Sequence, residues 1–411
     1  MRSLNGPFLF IMATLMIDAI GIGIVFPIMP DLMDRVGASG AGQGAFWGGL
    51  LMTAYAAALF VFGPVVGSIS DAFGRKPVLL AALAFLTVDY IVMALADSLL
   101  LLLIGRTLAG VAGATYITAT AYISDITPRD QRAARFGLIG AAFGIGFVLG
   151  PAIGGLAATW HISAPFWIAA ALSLANVVFG LLVLPESLRP ENRRRFGARD
   201  LNAFATIVRA FRIPGLAIPL TCLGLFEFAN MIYPTLWAFW GREVFGWSTL
   251  VIGLTLSAYG ILVAFAQAVV MPVAVRHLQE RRLVLVGLCV ALVSFVGFGF
   301  TTTLWALAIF LPLSTLTDLV PPTLTALAAN TVDEDRQGMV QGVIASLASL
   351  AAVLAPLSFT PLFGVFVSDA APVYWPGAPF LLSACLVAVI LPIAVRQGRG
   401  APRAPRPAGT V

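Results

Sequence analysis

The sequence predicts an all-α membrane protein in which twelve transmembrane helices form two six-helix halves around a central cavity. Three observations support this fold class: the composition, the number of long apolar runs, and a repeat of motifs between the two halves. Of the 411 residues, 60% are hydrophobic and 10% are charged, whereas soluble domains carry about 45–50% apolar and about 25% charged residues. This composition excludes a water-soluble globular protein. A mean hydropathy of +0.97 also excludes a disordered chain, which requires low hydrophobicity or high charge.

Twelve apolar runs are long enough to cross a bilayer. A transmembrane helix needs about 20 mostly apolar residues, and its internal hydrogen bonds satisfy the backbone where no water is available. The predicted spans are 8–30, 45–68, 78–96, 99–121, 135–159, 163–185, 213–238, 248–272, 283–302, 304–328, 339–367 and 375–395.

The Lys and Arg residues gather on one side of these spans. Of the 24, 21 lie in the amino terminus, the even-numbered connections and the carboxyl tail, two lie in odd-numbered connections, and Arg106 lies inside a span. Because cytoplasmic loops carry an excess of Lys and Arg, we expect both termini in the cytoplasm. A basic linker is expected beside an anionic leaflet, so its charge indicates no nucleic-acid partner.

The longest polar stretch follows span six and divides the chain into two halves that share motifs in the same order. Ala-Pro-Phe opens span six at 164–166 and span twelve at 378–380. We predict an N-terminal bundle, a basic cytoplasmic linker, a C-terminal bundle and a cytoplasmic tail. Their bounds are 1–185, 186–212, 213–395 and 396–411. Parallel repeats of this kind form transporters with a central site that opens alternately to the two sides.

The loop between spans two and three carries a specific pattern. It reads Gly67-Ser68-Ile69-Ser70-Asp71-Ala72-Phe73-Gly74-Arg75-Lys76. This segment resembles the G-x-x-x-D-R-x-G-R-R/K signature of the major facilitator superfamily, with Ala72 where an Arg is usual. An ordinary turn with cytoplasmic cations would explain Arg75 and Lys76, but neither Asp71 nor the two glycines.

We interpret this loop as a gating latch. Asp71 can lie against the positive end of a neighbouring helix, and Arg75 can pair with a carboxylate such as Asp125. We expect these contacts only when the two halves close on the cytoplasmic side.

Span five contains a second signature, from Gly146 to Gly155. It resembles the G-x-x-x-G-P-x-x-G-G pattern that accompanies drug/proton exporters in the superfamily. Glycines four apart allow close helix contact, and Pro151 bends the helix. Because a packing face explains these residues as well, we expect Gly150 and Pro151 to act through helix shape without contacting the substrate.

The chain is also similar to the tetracycline/proton antiporters along nearly its whole length, densely in the first half and thinly in the second. The matching segments are 17–30, 89–90, 105–106, 110–115, 163–166 and 245–247. The resemblance implies a monomer in a bacterial inner membrane that exchanges protons for a small drug, without a cofactor. If the drug is a tetracycline, it is bound as a divalent-metal chelate. Val263 and Ala291 depart from the family, which has a His and an Asp there that are tied to proton coupling.

Five charged residues lie inside predicted spans. A charge at mid-bilayer costs about 2.5–3.5 kcal/mol on the lenient insertion scales, so each needs a partner, a cavity or a function. Four carboxylates cannot all pair with one cation, so we expect at least one to take up a proton near neutral pH. The five residues are Asp18, Asp89, Arg106, Glu227 and Asp318.

The planar guanidinium of Arg106 suits a bidentate bridge, for which Asp18 is the candidate partner. The resemblance assigns Asp18, Arg106 and similarly Asp89 to proton coupling; the alternative is a static ion pair that fixes helix packing. The family offers no acid at Glu227 or Asp318. Our hypothesis is that one of the two, Glu227 first, replaces the coupling acid missing at Ala291. The alternative is a permanently protonated, hydrogen-bonded core acid.

Span seven and its surroundings supply candidate substrate contacts. Aromatic rings with a few amides suit a flat, partly polar or cationic ligand. The alternative is core and interface-belt packing, since Trp and Tyr collect at membrane boundaries. Gln267, which the tetracycline antiporters also have, is the first candidate. The others are Phe226, Asn230, Tyr233 and Trp237.

The sequence excludes ATP as the energy source, because it contains neither a P-loop nor a soluble nucleotide-binding domain. It also disfavours an enzyme, since the two His residues lie at span ends and no nucleophile or metal-ligand pattern is present. We therefore predict proton-coupled export of a drug by alternating access, with tetracycline-type molecules first. The alternative is a transporter on the same fold, either an exporter or a symporter, that carries another drug or a metabolite and not tetracycline.

Overall fold

The computed structural model describes residues 6–113, 115–128, 131–193, 210–333 and 336–396. The predicted linker is described only at 186–193 and 210–212, and only Arg396 of the predicted tail is described. The remainder of both segments lies outside the described residues.

Six helices form the first half. Each begins or ends at a glycine, a proline or a polar turn that interrupts a long apolar run. They are α1 Gly6–Arg35, α2 Ala41–Phe73, α3 Arg75–Leu95, α4 in two segments Leu99–Ala112 and Thr115–Ile126, α5 Arg132–Ala158 and α6 Ala164–Val183.

The second half repeats this order, but three of its helices contain irregular turns. They are α7 in segments Ala217–Asn230 and Ile232–Phe245, α8 Thr249–Phe265 with a π turn Ala266–Val270 and a final segment Met271–His277, α9 Glu280–Phe300, α10 Leu304–Thr315 with a 3-10 turn Leu316–Leu319 and a final segment Val320–Ala329, α11 Gln337–Phe366 and α12 Ala378–Arg396.

The twelve predicted passes are confirmed. Within the described ranges, eleven are long and apolar enough to span a membrane, and the twelfth, α7, is broken at Met231 into two segments of 14 residues. Several helices exceed their predicted bounds because a helix continues past the apolar core until a turn stops it. The predicted span 45–68 is the middle of α2, which lies between Gly40 and Gly74 with φ angles of 93° and 112°. Such positive φ values favour glycine.

The helix ends lie on two sides of the bundle. We call the side with Gly6, residues 186–193 and Arg396 the terminus side, and the side with residues 36–40 and 367–377 the loop side. Gly6 at the start of α1 packs against Val183 at the end of α6.

The two halves meet on the loop side, where α2 contacts α11. A Cβ built on Gly42 would lie 3.0 Å from the Cα of Gly364, and one built on Gly49 would lie 2.6 Å from Thr360 Oγ1. One turn deeper, Thr53 Oγ1 donates to the carbonyl of Val353 at 3.2 Å.

The second contact between the halves joins α5 to α8. A Cβ on Gly253 would lie 2.3 Å from the carbonyl oxygen of Pro151, and one on Gly155 would lie 2.9 Å from the carbonyl oxygen of Thr249. Ser257 Oγ donates to the carbonyl of Val148 at 2.6 Å.

The same two helix faces separate toward the terminus side. Toward that side, the face of α5 that contacts α8 and the face of α11 that contacts α2 carry further glycines. No described atom lies within 4 Å of a Cβ built on any of them: Gly137, Gly140 and Gly144 on α5, and Gly338 and Gly342 on α11. The halves therefore enclose a central cavity that opens to the terminus side.

Candidate functional site

The first half holds three charged side chains in the middle of its helices. Asp18 on α1, Asp89 on α3 and Arg106 on α4 are 4%, 3% and 7% exposed. Both carboxylate oxygens of Asp89 and the Nε of Arg106 are buried without a hydrogen-bond partner among the described residues. Such isolated buried charges are rare in proteins, because burying an unpaired ion is unfavourable.

The predicted ion pair between Arg106 and Asp18 is not formed in this structure. Instead, the Arg106 guanidinium lies over the ring of Tyr55 on α2, 4.5 Å from its centroid. Close packing brings the ring there, because a Cβ on Gly110 of α4 would lie 2.3 Å from the carbonyl oxygen of Tyr55. A cation over an aromatic face is attracted by the ring quadrupole, which partly compensates for the missing carboxylate.

Two further contacts bring α1, α3 and α4 together around these charges. A Cβ on Gly105 would lie 2.9 Å from Asp89 Oδ1, and one on Gly21 would lie 1.6 Å from the hydroxyl of Tyr90. Gly21 is one helical turn from Asp18. The first half thus gathers two acids, a fixed cation and two tyrosines, and neither acid has a fixed cationic partner in the described chain.

The second half holds a polar site at the irregular turns of α7, α8 and α10. Asp318 lies in the 3-10 turn of α10 and is partly buried. Its Oδ1 accepts a hydrogen bond from Asn230 Nδ2 at 3.1 Å, and its Oδ2 accepts one from Tyr259 Oη at 2.7 Å. Asn230 ends the first segment of α7. Interrupted helices of this kind commonly surround substrate and ion sites in transporters.

Glu227 lies one turn before Asn230 on the same segment of α7 and is also partly buried. Within the described residues, its carboxylate makes no hydrogen bond and no ion pair, so it differs from the doubly bonded Asp318. The two predicted coupling acids of the second half are therefore close together but in different surroundings.

Sequence reasoning missed Tyr259 and the turns that assemble this site. A signal was present in Pro321 and Pro322, because proline has no N–H to bond the carbonyls of residues 317 and 318. Those two carbonyls belong to the turn that carries Asp318.

The predicted aromatic contacts have a packing role. Phe226, Tyr233 and Trp237 are buried in the main hydrophobic core, which includes residues of both halves, and Trp237 Nε1 donates to Thr255 Oγ1 at 2.9 Å. Tyr233 stacks on Phe295 with a centroid distance of 5.6 Å. As substrate contacts, these three rings are inaccessible in this conformation, since a flat ligand would have to displace core neighbours.

Gln267 is the predicted substrate contact that remains accessible. Its side chain is exposed on the π turn of α8. This turn continues the α5-facing side of α8 toward the terminus side, where the two helices separate. Single π turns frequently accompany functional sites.

The gating motif is assembled at the terminus side. Arg75 Nη1 lies 2.6 Å from Asp71 Oδ1, and its Nε lies 3.2 Å from Asp125 Oδ2. The expectation that these pairs form only when the halves close is wrong, because all three residues belong to the first half and pair while the terminus side is open. A Cβ on Gly67, the first residue of the motif, would lie 3.5 Å from the side chain of Ile117 on α4, which is an ordinary van der Waals contact.

Two residues that sequence analysis missed complete this motif. Glu186, after α6, accepts hydrogen bonds from the amides of Arg75 at 2.8 Å and Lys76 at 3.2 Å, which begin α3. Ser187 donates to Asp125 Oδ2 at 3.0 Å. Gly74 is required here, since its φ is 112° and a Cβ would lie 2.4 Å from Glu186 Oε2. The start of the linker is thereby fixed to the gating loop.

The glycine signature of α5 packs two different helices. A Cβ on Gly150 would lie 2.7 Å from the carbonyl oxygen of Ile20 on α1, within the first half. The Pro151 carbonyl faces Gly253 of α8, across the two halves. The segment therefore links the first bundle to the contact between halves.

An ionic network closes the loop side. Arg242, at the end of α7, lies 3.2 Å from Asp31 and 2.6 Å from Asp34, both at the end of α1. Thr249 at the start of α8 donates to Asp31 as well. These contacts join the two halves where the cavity is closed.

Metal binding finds no support in the described part of the chain, which contains no group of three or more His, Cys, Asp or Glu side chains suited to an ion.

Comparisons with known proteins agree with this architecture. The model of the Major Facilitator Superfamily matches residues 11–356. The class C tetracycline resistance protein of Escherichia coli is 36% identical over 394 residues, which cover 96% of this chain and 97% of that protein. The class G protein of Vibrio anguillarum is 33% identical, with 92% and 94% covered. Multidrug resistance protein 2 of Bacillus subtilis is 28% identical, with 85% and 86% covered.

Solved structures share the fold at lower identity. The human organic anion transporter MFSD10 (TETRAN) superposes with a TM-score of 0.69 at 22% identity, covering 95% of this chain and 99% of that one. An inward-facing bacterial homologue of the lysosomal transporter Spinster gives a TM-score of 0.77 at 13% identity, with 95% and 96% covered.

Proposed function

The chain belongs to the major facilitator superfamily, as a multi-pass membrane drug efflux transporter related to the tetracycline resistance proteins and not an enzyme, and we propose that it exports a tetracycline-type molecule in exchange for protons. The membrane is a bacterial inner membrane, with the terminus side in the cytoplasm. The exporter works as a monomer and needs no cofactor.

The observation that carries this proposal is the unpaired acid at the centre of the first half. Asp89 is buried with neither oxygen bonded to a described group, and no described Lys, Arg or His forms an ion pair with Asp18. Asp89 is suited to carrying a proton, because no described hydrogen bond holds its carboxyl group in one charge state. The fixed charge of Arg106 returns each acid to its ionised form when water reaches it. Asp18 and Asp89 can therefore bind a proton on one side of the membrane and release it on the other.

The two ends of the bundle supply the gates. In this structure the Arg242 network closes the loop side, and the open terminus side is the side that we assign to the cytoplasm. We assign residues 1–185 and 213–395 as the bodies that rock past each other at the α5–α8 contact. Closing the cytoplasmic side would carry the gating loop, with Asp71, toward the start of α11.

The membrane potential favours this direction of exchange. One proton moved inward in exchange for a neutral substrate gains about 2.3 kcal/mol per 100 mV, which offsets a modest uphill export; a one-for-one exchange with a monovalent cation moves no net charge and is driven by the pH gradient. Substrate enters from the cytoplasm at the accessible Gln267 and leaves when protons bind from outside. A tetracycline substrate would enter as its divalent-metal chelate, which brings its own ion.

Growth of an efflux-deficient bacterial host tests the proposal. Expression of the chain should raise tolerance to tetracyclines, and Asp18→Asn should abolish the increase. Asp97→Asn, in an exposed loop, is the matched control and should keep it. Uptake of tetracycline by inverted vesicles should require a proton gradient. Normal expression without tolerance or gradient-dependent uptake contradicts the proposal.

A second candidate is export of another drug or a metabolite. It is favoured by Val263 and Ala291, which lack the coupling groups of the tetracycline antiporters, and by the additional acids Glu227 and Asp318. Tolerance to unrelated cationic or aromatic drugs without tolerance to tetracyclines would select it.

A further inference from the structure

We propose that Asp318 recognises a positively charged nitrogen on the substrate, while the neighbouring Glu227 carries the proton that releases it. This assignment rests on the proposed export function, because it names the substrate class that the second half binds.

The geometry of Asp318 is that of a fixed anion. Both oxygens accept hydrogen bonds, at 3.1 Å from Asn230 and 2.7 Å from Tyr259, and these bonds stabilise the carboxylate in one orientation. Among the described residues, no Lys, Arg or His forms an ion pair with it. The Asp318 carboxylate is therefore oriented and partly exposed, but it has no positive partner among the described residues. A positively charged ligand can supply that partner.

A separate observation points to a ligand that donates hydrogen bonds. Asn230 uses its amide N–H to hold Asp318, and its Oδ1 is left buried with no hydrogen-bond partner in the described chain. Leaving a buried acceptor unsatisfied costs about 1–3 kcal/mol. The N–H of a protonated amine can donate to Asn230 Oδ1 while its positive charge lies beside Asp318, whereas an anion or an apolar group can do neither.

Aromatic rings beside the carboxylate suit the same ligand. Tyr259, which bonds Asp318, packs its ring against that of Tyr233 with centroids 5.7 Å apart. An alkylated ammonium gains from contact with aromatic faces and loses less hydration than a primary amine. The favoured substrate is therefore a flat molecule with a substituted amine.

Glu227 differs from Asp318 in a way that separates the two roles. It has no hydrogen bond to hold its charge, and it lies one turn from Asn230, near Asp318. The groups facing this site from the neighbouring helices are Asp318, Tyr233 and Tyr259. With both acids ionised the site attracts a cation; protonation of Glu227 removes one negative charge and weakens the attraction. Proton binding from outside then releases the drug.

A pair of ligands that differ only in the amine tests the assignment. Tetracycline carries a dimethylammonium group, and 4-dedimethylaminotetracycline lacks it; ethidium is a flat, permanently charged third probe. Binding is measured by fluorescence on the full-length protein in nanodiscs, without divalent ions and again with Mg²⁺. Asp318→Asn should weaken binding of tetracycline and ethidium at least tenfold and change binding of the amine-free analogue less than twofold. Asp97→Asn should change none of them.

Tyr259→Phe keeps the ring and removes one hydrogen bond, so it should weaken binding of the charged ligands three- to tenfold. Three results would overturn the assignment. They are an equal loss of affinity for both tetracyclines in Asp318→Asn, an effect of Asp318→Asn that is seen only with Mg²⁺, and no binding of any cation by the wild-type protein. If the wild-type chain exports tetracycline while the Asp318→Asn variant binds all three ligands normally, that result would reject Asp318 as the cation-binding residue and leave the proposed function intact. Charge-selective binding without proton exchange would reject antiport alone.

Discussion

Arg242 and Asp34 form a 2.6 Å ion pair that joins the end of α7 to the end of α1 and so connects the two halves on the loop side. Their side chains are 43% and 39% exposed, and an exposed pair contributes only about 0–1 kcal/mol. That energy is small for folding but large for a transporter, in which two states of similar energy must exchange. A shift of 1.4 kcal/mol changes their ratio tenfold.

Arg242→Gln is expected to shift the protein away from the state with a closed loop side, by up to about fivefold, because both ion pairs across the halves are lost. Distances between spin labels at Ser98 and Thr302, in a cysteine-free variant, measure the change. The population with a longer distance should grow. Arg276→Gln, on the terminus side, is the control; an unchanged distribution in Arg242→Gln would show that helix packing alone closes the gate.

The gating loop allows a prediction based on one glycine. Gly74→Ala combines a disfavoured φ of 112° with a Cβ that would lie 2.4 Å from Glu186, and strain of this kind costs about 1–3 kcal/mol. We expect a lower Tm and loss of most transport, because the amides that begin α3 lose their acceptor. Glu186→Gln should have a smaller effect in the same direction, and Glu191→Gln, which is exposed, should have none. Normal transport by Gly74→Ala would show that Glu186 does not organise the gate.

The sequence predicted the helices better than the contacts, for physical reasons. A transmembrane span is a local property of about 20 residues, so composition alone locates it. The partner of Arg106 is not local: the choice between Asp18 and Tyr55 depends on how closely α2 and α4 approach at Gly110. The break in α7 at Met231 was missed as well, although Pro234 marks it, because proline has no N–H to bond the carbonyl of Asn230. Val263 and Ala291 were visible departures, but only the fold brought Tyr259, Asn230 and Asp318 together.

Asp89 provides a test that separates function from stability. Its two oxygens are buried without a described partner, so neutralising it removes an unfavourable buried charge. Asp89→Asn is expected to keep or raise the Tm, by a few degrees for about 1 kcal/mol, while transport falls to background. Thermal unfolding and vesicle uptake on the same preparation measure both. A lower Tm with proportional loss of transport would instead assign Asp89 a structural role, and Asp97→Asn controls for the change of charge.

Glu227 sets the pH dependence of cation binding in the second half. Protonation removes a negative charge beside Asp318, so the affinity of the wild-type protein for ethidium should fall as the pH is lowered from 8.5 to 5.5. Glu227→Gln resembles the protonated form at every pH. Its affinity should therefore be low and nearly constant over this range, because the neutral amide neither attracts the cation nor titrates. Titration of ethidium fluorescence at fixed ionic strength measures both curves, with Glu191→Gln as the control. If the Glu227→Gln variant retained the full pH dependence, another acid would carry the proton. Asp318 would be the next acid to test.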